Sequence, residues 1–171
     1  SAHTGDTTAI REIFGGKSEN FINAAISYLE AGFVADALRV LEVADVDPLV
    51  HYYRAYCLNK LGQDASAELA AAKGMDTGLC FPARLEDIAV LKYVVENSPD
   101  DANACYFLGS LYYDRFRFDD AISTWENAIE RHPNHAKSLR NLAIAYFDKR
   151  GDFTSARICI EKAMANRNDP R

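Results

Sequence analysis

The sequence predicts an all-α chain in which antiparallel helix hairpins stack side by side as a solenoid. Three observations carry this. No stretch alternates apolar and polar residues as a half-buried strand does. Small and large apolar residues recur at a fixed spacing. Finally, Gly109 stands between Leu108 and Ser110 inside the helical run "ACYFLGSLYYDRF", where glycine costs about 1 kcal/mol relative to alanine. A glycine kept at that cost marks a place where two helices nearly touch.

The spacing supplies the elements in order. Leu108, Gly109, Tyr112, Ala121, Trp125, Ala128 and Pro133 form one unit. Moved forward by 34 residues, the set becomes Leu142, Ala143 and Tyr146, and after one inserted residue near Gly151 it continues as Phe153, Ala156, Ile160 and Ala163. Moved back by 84 it becomes Ala24, Ala25, Tyr28, Ala37, Leu41 and Ala44, and a degenerate copy 30 residues further on has Ala55, Leu58, Gly62, Ala67, Ala71 and Gly74. Such internal periodicity is the signature of a repeat architecture.

Helices are therefore expected at 18–31 and 34–46, 48–61 and 64–74, then singly at 83–97, and again in pairs over 102–131 and 136–166. Within the single helix Leu85, Ile88, Leu91, Val94 and Val95 should face inward. Pro99 lies 34 residues before Pro133, so this helix ends where a second repeat helix should end, and its first helix has been lost. Residues 1–17 read as a flexible segment in which "AIREIF" forms a capping turn over Phe21, Ile22 and Ile26. Ser1 and Ala2 look like the remnant of a removed tag. One repeat domain over 18–171 follows, broken at 74–82 by "GMDTGLCFP".

"LGSLYYDRFRFDDAISTWENAIERHP" resembles a tetratricopeptide repeat, whose pattern is L-G-x2-Y, then A-x3-F-x2-A and a closing proline. The resemblance is close from Leu108 to Pro133, good over 136–166, fair over 18–47 and poor over 48–78. The family's early tryptophan is replaced by Cys105, Leu139 and Phe21. It implies a right-handed superhelix of hairpins whose first helices line a concave groove. "FPARLEDIAVLKYVVENSPDD" onward, through "RNLAIAYFDKRGD", is also similar to the repeat part of large bacterial proteins that carry an N-terminal β-rich domain suspected of carbohydrate handling. That narrower resemblance implies a C-terminal piece of such a protein.

Composition excludes several functions. The net charge of −6 disfavours a general nucleic-acid or anionic-membrane binder, both of which need a basic face. No apolar run approaches the ~20 residues that span a bilayer. The four cysteines, Cys57, Cys80, Cys105 and Cys159, form no CxxC pair, and Cys57, Cys105 and Cys159 read as reduced core residues, which favours the cytoplasm. "GGKS" at 15–18 ends as a phosphate-binding loop does, but Arg11 stands where that loop needs glycine and no strand precedes it. His132 and His135 share a surface turn without further metal ligands. Asp100–Asp101 and Asp119–Asp120 fall at helix starts, where carboxylates cap free N–H groups. No catalytic constellation, cofactor or metal site is expected.

What remains is a surface. By the family's geometry the groove positions are Asn103, Tyr106, Ser110, Tyr113 and Asp114, then Lys137, Arg140, Asn141, Ile144, Phe147 and Asp148. The spacing sets Asn103, Tyr106, Ser110 and Tyr113 within a helical face of about 80°. Tyr52, Tyr53, Tyr56 and Asn59 have a comparable register, with Tyr52 and Tyr56 expected to bind. The family's grip on a peptide's terminal carboxylate needs Lys and Asn where Tyr106 and Ser110 stand, so that mode is not expected here. The expected function is a non-enzymatic scaffold holding a protein or peptide, with Lys137 and Arg140 favouring an acidic one, or holding another domain of the parent chain. The alternative is a structural or oligomerisation module of a larger carbohydrate-active bacterial protein.

Overall fold

The structure, a computed structural model, describes residues 11, 13–15, 17–78 and 80–167. All regular elements among them are helical: α1 (Ser18–Glu30), α2 (Val34–Glu42), α3 (Pro48–Lys60), α4 (Ser66–Ala72), α5 (Leu85–Asn97), α6 (Ala102–Asp114), α7 (Phe118–Arg131), α8 (Ala136–Ala145) and α9 (Phe153–Arg167). α8 runs on into a π-helical turn, Tyr146–Arg150. The chain gathers into two compact units that meet in sequence at Phe81 and Pro82.

In the first unit α1 packs on α2, α2 on α3, and α3 on α4. Asp47 starts α3 by accepting the Val50 N–H at 2.9 Å, with Pro48 at the first helical position, where its missing N–H costs nothing. Of the expected capping turn, Ala9, Ile10 and Glu12 lie outside the described residues. Phe14 sets its ring edge-on to Phe21 at 5.0 Å, Asn20 donates to the Phe14 carbonyl, and Arg11 pairs with Asp45. Ile13 stays exposed.

In the second unit α5 packs on α6, α6 on α7, α7 on α8, and α8 on α9. Gly109 is the closest approach: a Cβ there would stand 2.3 Å from the Trp125 indole nitrogen. The glycine thus admits the indole of α7 against the α6 backbone. The buried stripe of α5 is Asp87, Val90, Leu91 and Val94. Leu85, expected inside, is 62% exposed, and Ile88 and Val95 are half-buried. The spacing 87, 90, 91, 94 suits a helix covered along a single seam, and Leu85 at the helix start falls outside it. Asp87 is fully buried because it is satisfied: it accepts the N–H groups of Ala83 and Arg84, each at 2.9 Å.

Four hairpin turns close alike. The N–H of Phe33 bonds the Tyr28 carbonyl, Gln63 bonds Leu58, Arg117 bonds Tyr112 and Asp152 bonds Tyr146. The residue just before each donor is left-handed, which suits glycine: Gly32, Gly62 and Gly151, but Phe116 at φ 61° in the third. The last turn spans one residue more than the others, and the π-helical stretch absorbs that residue.

All four cysteines are free thiols in buried positions. Burial pushes Cys57 and Cys105 up to about 11, so both stay protonated at neutral pH. No helix among the described residues is long and apolar enough to cross a membrane.

Candidate functional site: the face shared by α6 and α8

α6 and α8 are the first helices of successive hairpins, and their exposed faces share hydrogen bonds. Asp101 starts α6 by accepting from Asn103 N–H at 3.0 Å and Ala104 N–H at 3.1 Å. His135 starts α8: its Nδ1 accepts the Ser138 N–H at 3.3 Å, which leaves the proton on Nε2, facing Asn103 Oδ1 at 3.4 Å. Burial first, then the nearby Lys137 and His132 charges, lowers His135 to about 4, in keeping with a neutral ring that serves as acceptor. His135 is therefore a structural bridge between the two repeats rather than a loose surface-turn residue. Asp101 caps as its position suggested. Asp119 and Asp120 do not: they lie in the first turn of α7, where Asp120 pairs with Arg117 at 2.7 Å and Asp119 with Arg150 at 3.2 Å.

Further along, Ser110 Oγ donates to the Tyr106 carbonyl at 2.8 Å and receives Asn141 Nδ2 at 3.3 Å. The same carbonyl accepts Trp125 Nε1 at 3.2 Å, so the indole is held from above as well as fitted against Gly109. Tyr113 donates its hydroxyl to Asp148 at 3.3 Å and lies 5.9 Å from the Trp125 ring and 5.0 Å from Phe118. Burial first, then the Asp148 charge and hydrogen bond, raises the Tyr113 hydroxyl above its ordinary range, against the opposing pull of Lys149. Asp148 is lowered chiefly by its bond to Lys149 at 2.6 Å.

Between these groups lies a recess of about 230 Å³ lined by Ser110, Tyr113, Asp114, Trp125, Asn141 and Ile144. Tyr106 is half-buried beside it, its ring 6.1 Å from His135 and 5.8 Å from Lys137 Nζ. Arg140 is exposed and has no partner among the described residues. Asn103, Tyr106, Ser110, Tyr113, Lys137, Arg140 and Asn141 thus share the α6 and α8 faces. Ile144, Phe147 and Asp148 continue the α8 side, with Phe147 62% exposed.

Tyr52 is a correction. It is 0% exposed, as is Tyr53, and neither faces solvent. Tyr56 is half-buried in the first unit with Lys60 Nζ 4.8 Å above its ring. The sequence reading also missed His135 as a bridge and Lys149 as the cation beside Tyr113. Histidine is not among the usual cap residues, Ser, Thr, Asp and Asn, so the sequence carried no clear signal for it.

Two family models, each described as tetratricopeptide repeat, match residues 22–77 and 100–169. Both units carry tetratricopeptide repeats. The first match includes the stretch 48–77, where the resemblance by residues alone was poor. Among solved structures, a crystal structure of MamA is 19% identical, with 94% of this chain and 84% of that one covered and a TM-score of 0.49. YrrB, titled as a repeat protein with an unusual peptide-binding site, is 18% identical over 93% of this chain and 73% of its own, at 0.47. MamA from Desulfovibrio magneticus RS-1 is 22% identical over 92% and 99%, at 0.45.

Proposed function

We propose that this chain is a non-enzymatic interaction module and that the α6–α8 face holds a peptide or a partner's domain. One observation carries the reading. The groups beside the recess are fixed in place by bonds to each other, while the tyrosine surfaces and the Arg140 guanidinium stay open to a ligand. Preorganised aromatic rings with an unpaired arginine are the usual composition of binding hot spots. Tyrosines supply apolar area and hydroxyl bonding at little entropic cost.

Arg140, with Lys137 one turn before it, favours an acidic segment or a carboxylate, which a guanidinium receives in a two-pronged bond. The resemblance to the repeat part of larger bacterial proteins extends the proposal to a bacterial setting and to further domains of a parent chain as the partner. Four buried thiols fit a reducing cytoplasm.

The test is recovery of partners from the native host's lysate by the wild-type chain and by a Tyr106/Tyr113/Arg140 triple-alanine variant. Specific partners should be lost from the variant, and Arg140→Ala alone should weaken a purified partner by about 2 kcal/mol or more. Equal recovery by a folded variant would show that this face is not the working surface.

A further inference from the structure

The recess between α6 and α8 has committed most of its hydrogen-bond donors and kept its acceptors free. Ser110 gives its hydroxyl proton to the Tyr106 carbonyl, and Trp125 gives its indole N–H to the same oxygen. Tyr113 donates to Asp148, and one of the two Asn141 N–H groups goes to Ser110 Oγ. Against these stand the Asn141 Oδ1 oxygen and the Asp114 carboxylate, which only accept. The remaining walls, Tyr113, Trp125 and Ile144, are aromatic or aliphatic. A group that suits such a place has donors, a positive charge and a long apolar stem. Lysine and arginine side chains have all three, and aromatic rings attract their charge as well.

The position of Asp114 points outward too. It is the last residue of α6, where a negative charge meets the negative end of the helix dipole. It is exposed and has no partner among the described residues, so its charge stabilises nothing described within the fold. The neighbouring charges are already matched: Lys149 lies 5.8 Å from the Tyr113 ring centre, but Asp148 pairs with it at 2.6 Å. The face also has a direction. Its cross-links run Asn103–His135, Ser110–Asn141 and Tyr113–Asp148, in the same order along both helices, so α6 and α8 are parallel. Lys137 and Arg140 therefore precede the recess along α8, and Asp114 closes it at the end of α6.

We infer that the α6–α8 recess takes a lysine or arginine side chain of a partner peptide against Asp114, in a segment that also carries an acidic residue for Lys137 and Arg140. The inference rests on the α6–α8 face being the binding surface and names the residue that its recess selects. A wholly acidic segment would set like charge against Asp114, and a wholly basic one would set it against Arg140. A segment with both signs satisfies both ends.

Selection of a library of short random peptides on the full chain tests this, with the selected peptides sequenced and synthesised. Trp125 is the only tryptophan of the chain and lines the recess, so its emission follows binding. Peptides that the Tyr106/Tyr113/Arg140 triple-alanine variant fails to bind are those that use this face. They should carry a lysine or arginine together with an aspartate or glutamate. Asp114→Asn should weaken such a peptide about tenfold or more, with an equal or higher melting temperature, because a carboxylate leaves the unfavourable end of a helix. Replacing the peptide's cation by norleucine should weaken binding to the wild type by a similar factor and cause no further loss on Asp114→Asn. If no selected peptide depends on this face, the α6–α8 reading falls and this inference with it. If peptides depend on the face but carry no cation, or bind Asp114→Asn as well as they bind the wild type, the inference alone falls. A lower melting temperature for Asp114→Asn would assign the carboxylate to the fold and overturn the inference as well.

Discussion

Tyr52 on α3 and Tyr106 on α6 occupy the same place in their repeats, yet one is fully buried and the other is only half-buried, beside a recess. The second helices of the two hairpins account for the difference. α7 has fourteen residues and brings Trp125, whose indole fills the hairpin against Gly109. α4 has seven, "SAELAAA", and buries Leu69 and Ala72, while Ala71, which matches Trp125 by spacing, is exposed. Packing to crystal-like density needs volume from one side or the other. Where the second helix supplies a tryptophan, Tyr106 is released towards the surface. Where it buries only Leu69 and Ala72, Tyr52 is drawn into the core. The irregular segment after α4 is part of that packing too, with Thr77 and Cys80 both buried.

The largest effect expected from this comparison is in the tyrosines themselves. Tyr52→Ala should cost about 3–5 kcal/mol, as truncating a large buried aromatic does, and Tyr106→Ala less, about 2 kcal/mol, since part of its surface is already wet. Urea unfolding of both variants checks this, and similar losses would break the comparison.

Next comes the Gly109 contact. Adding a Cβ at 2.3 Å from the indole forces α6 and α7 apart, so Gly109→Ala should destabilise by about 1–3 kcal/mol and Gly109→Leu by at least as much. The equivalent residue in the first unit is already Ala55, which is fully buried without a tryptophan in the second helix of its hairpin. An equal or higher melting temperature for Gly109→Ala would sink the packing account.

The smallest effect concerns the turns. Phe116 takes the left-handed conformation that glycine takes at three matched turns, and its ring is 81% exposed, 6.1 Å from Phe118. A side chain there costs about 1–2 kcal/mol. Glycine's greater freedom in the unfolded chain takes back part of any gain, so Phe116→Gly should stabilise the second unit by about 1 kcal/mol or less. Thermal melting checks the sign. A loss of stability would mean that the Phe116 ring contributes more than its backbone costs.

Much of this was legible along the chain. The hairpins, the Gly109 contact, the Asp101 cap and the extra residue near Gly151 all follow from spacing and local chemistry. Most of the α6–α8 residues share a face because a helix repeats every 3.6 residues. Leu85 and Tyr52 were misread for a common reason. Register says which residues share a side of a helix, but not how much of that side a neighbour covers. α5 is covered along one seam only, so Leu85 is left out. The short α4 buries only Leu69 and Ala72, so Tyr52 is taken in.

By itself, then, the sequence determined the helices, their pairing into repeats and the register of each face, because all three depend on residues within about one repeat length of each other. Only the tertiary structure decided which faces are sealed and which stay open. It set Trp125 against Gly109, carried His135 across to Asn103 and buried Tyr52. Burial depends on the volume and length of whatever helix lies opposite, and no single helix carries that information in its own periodicity.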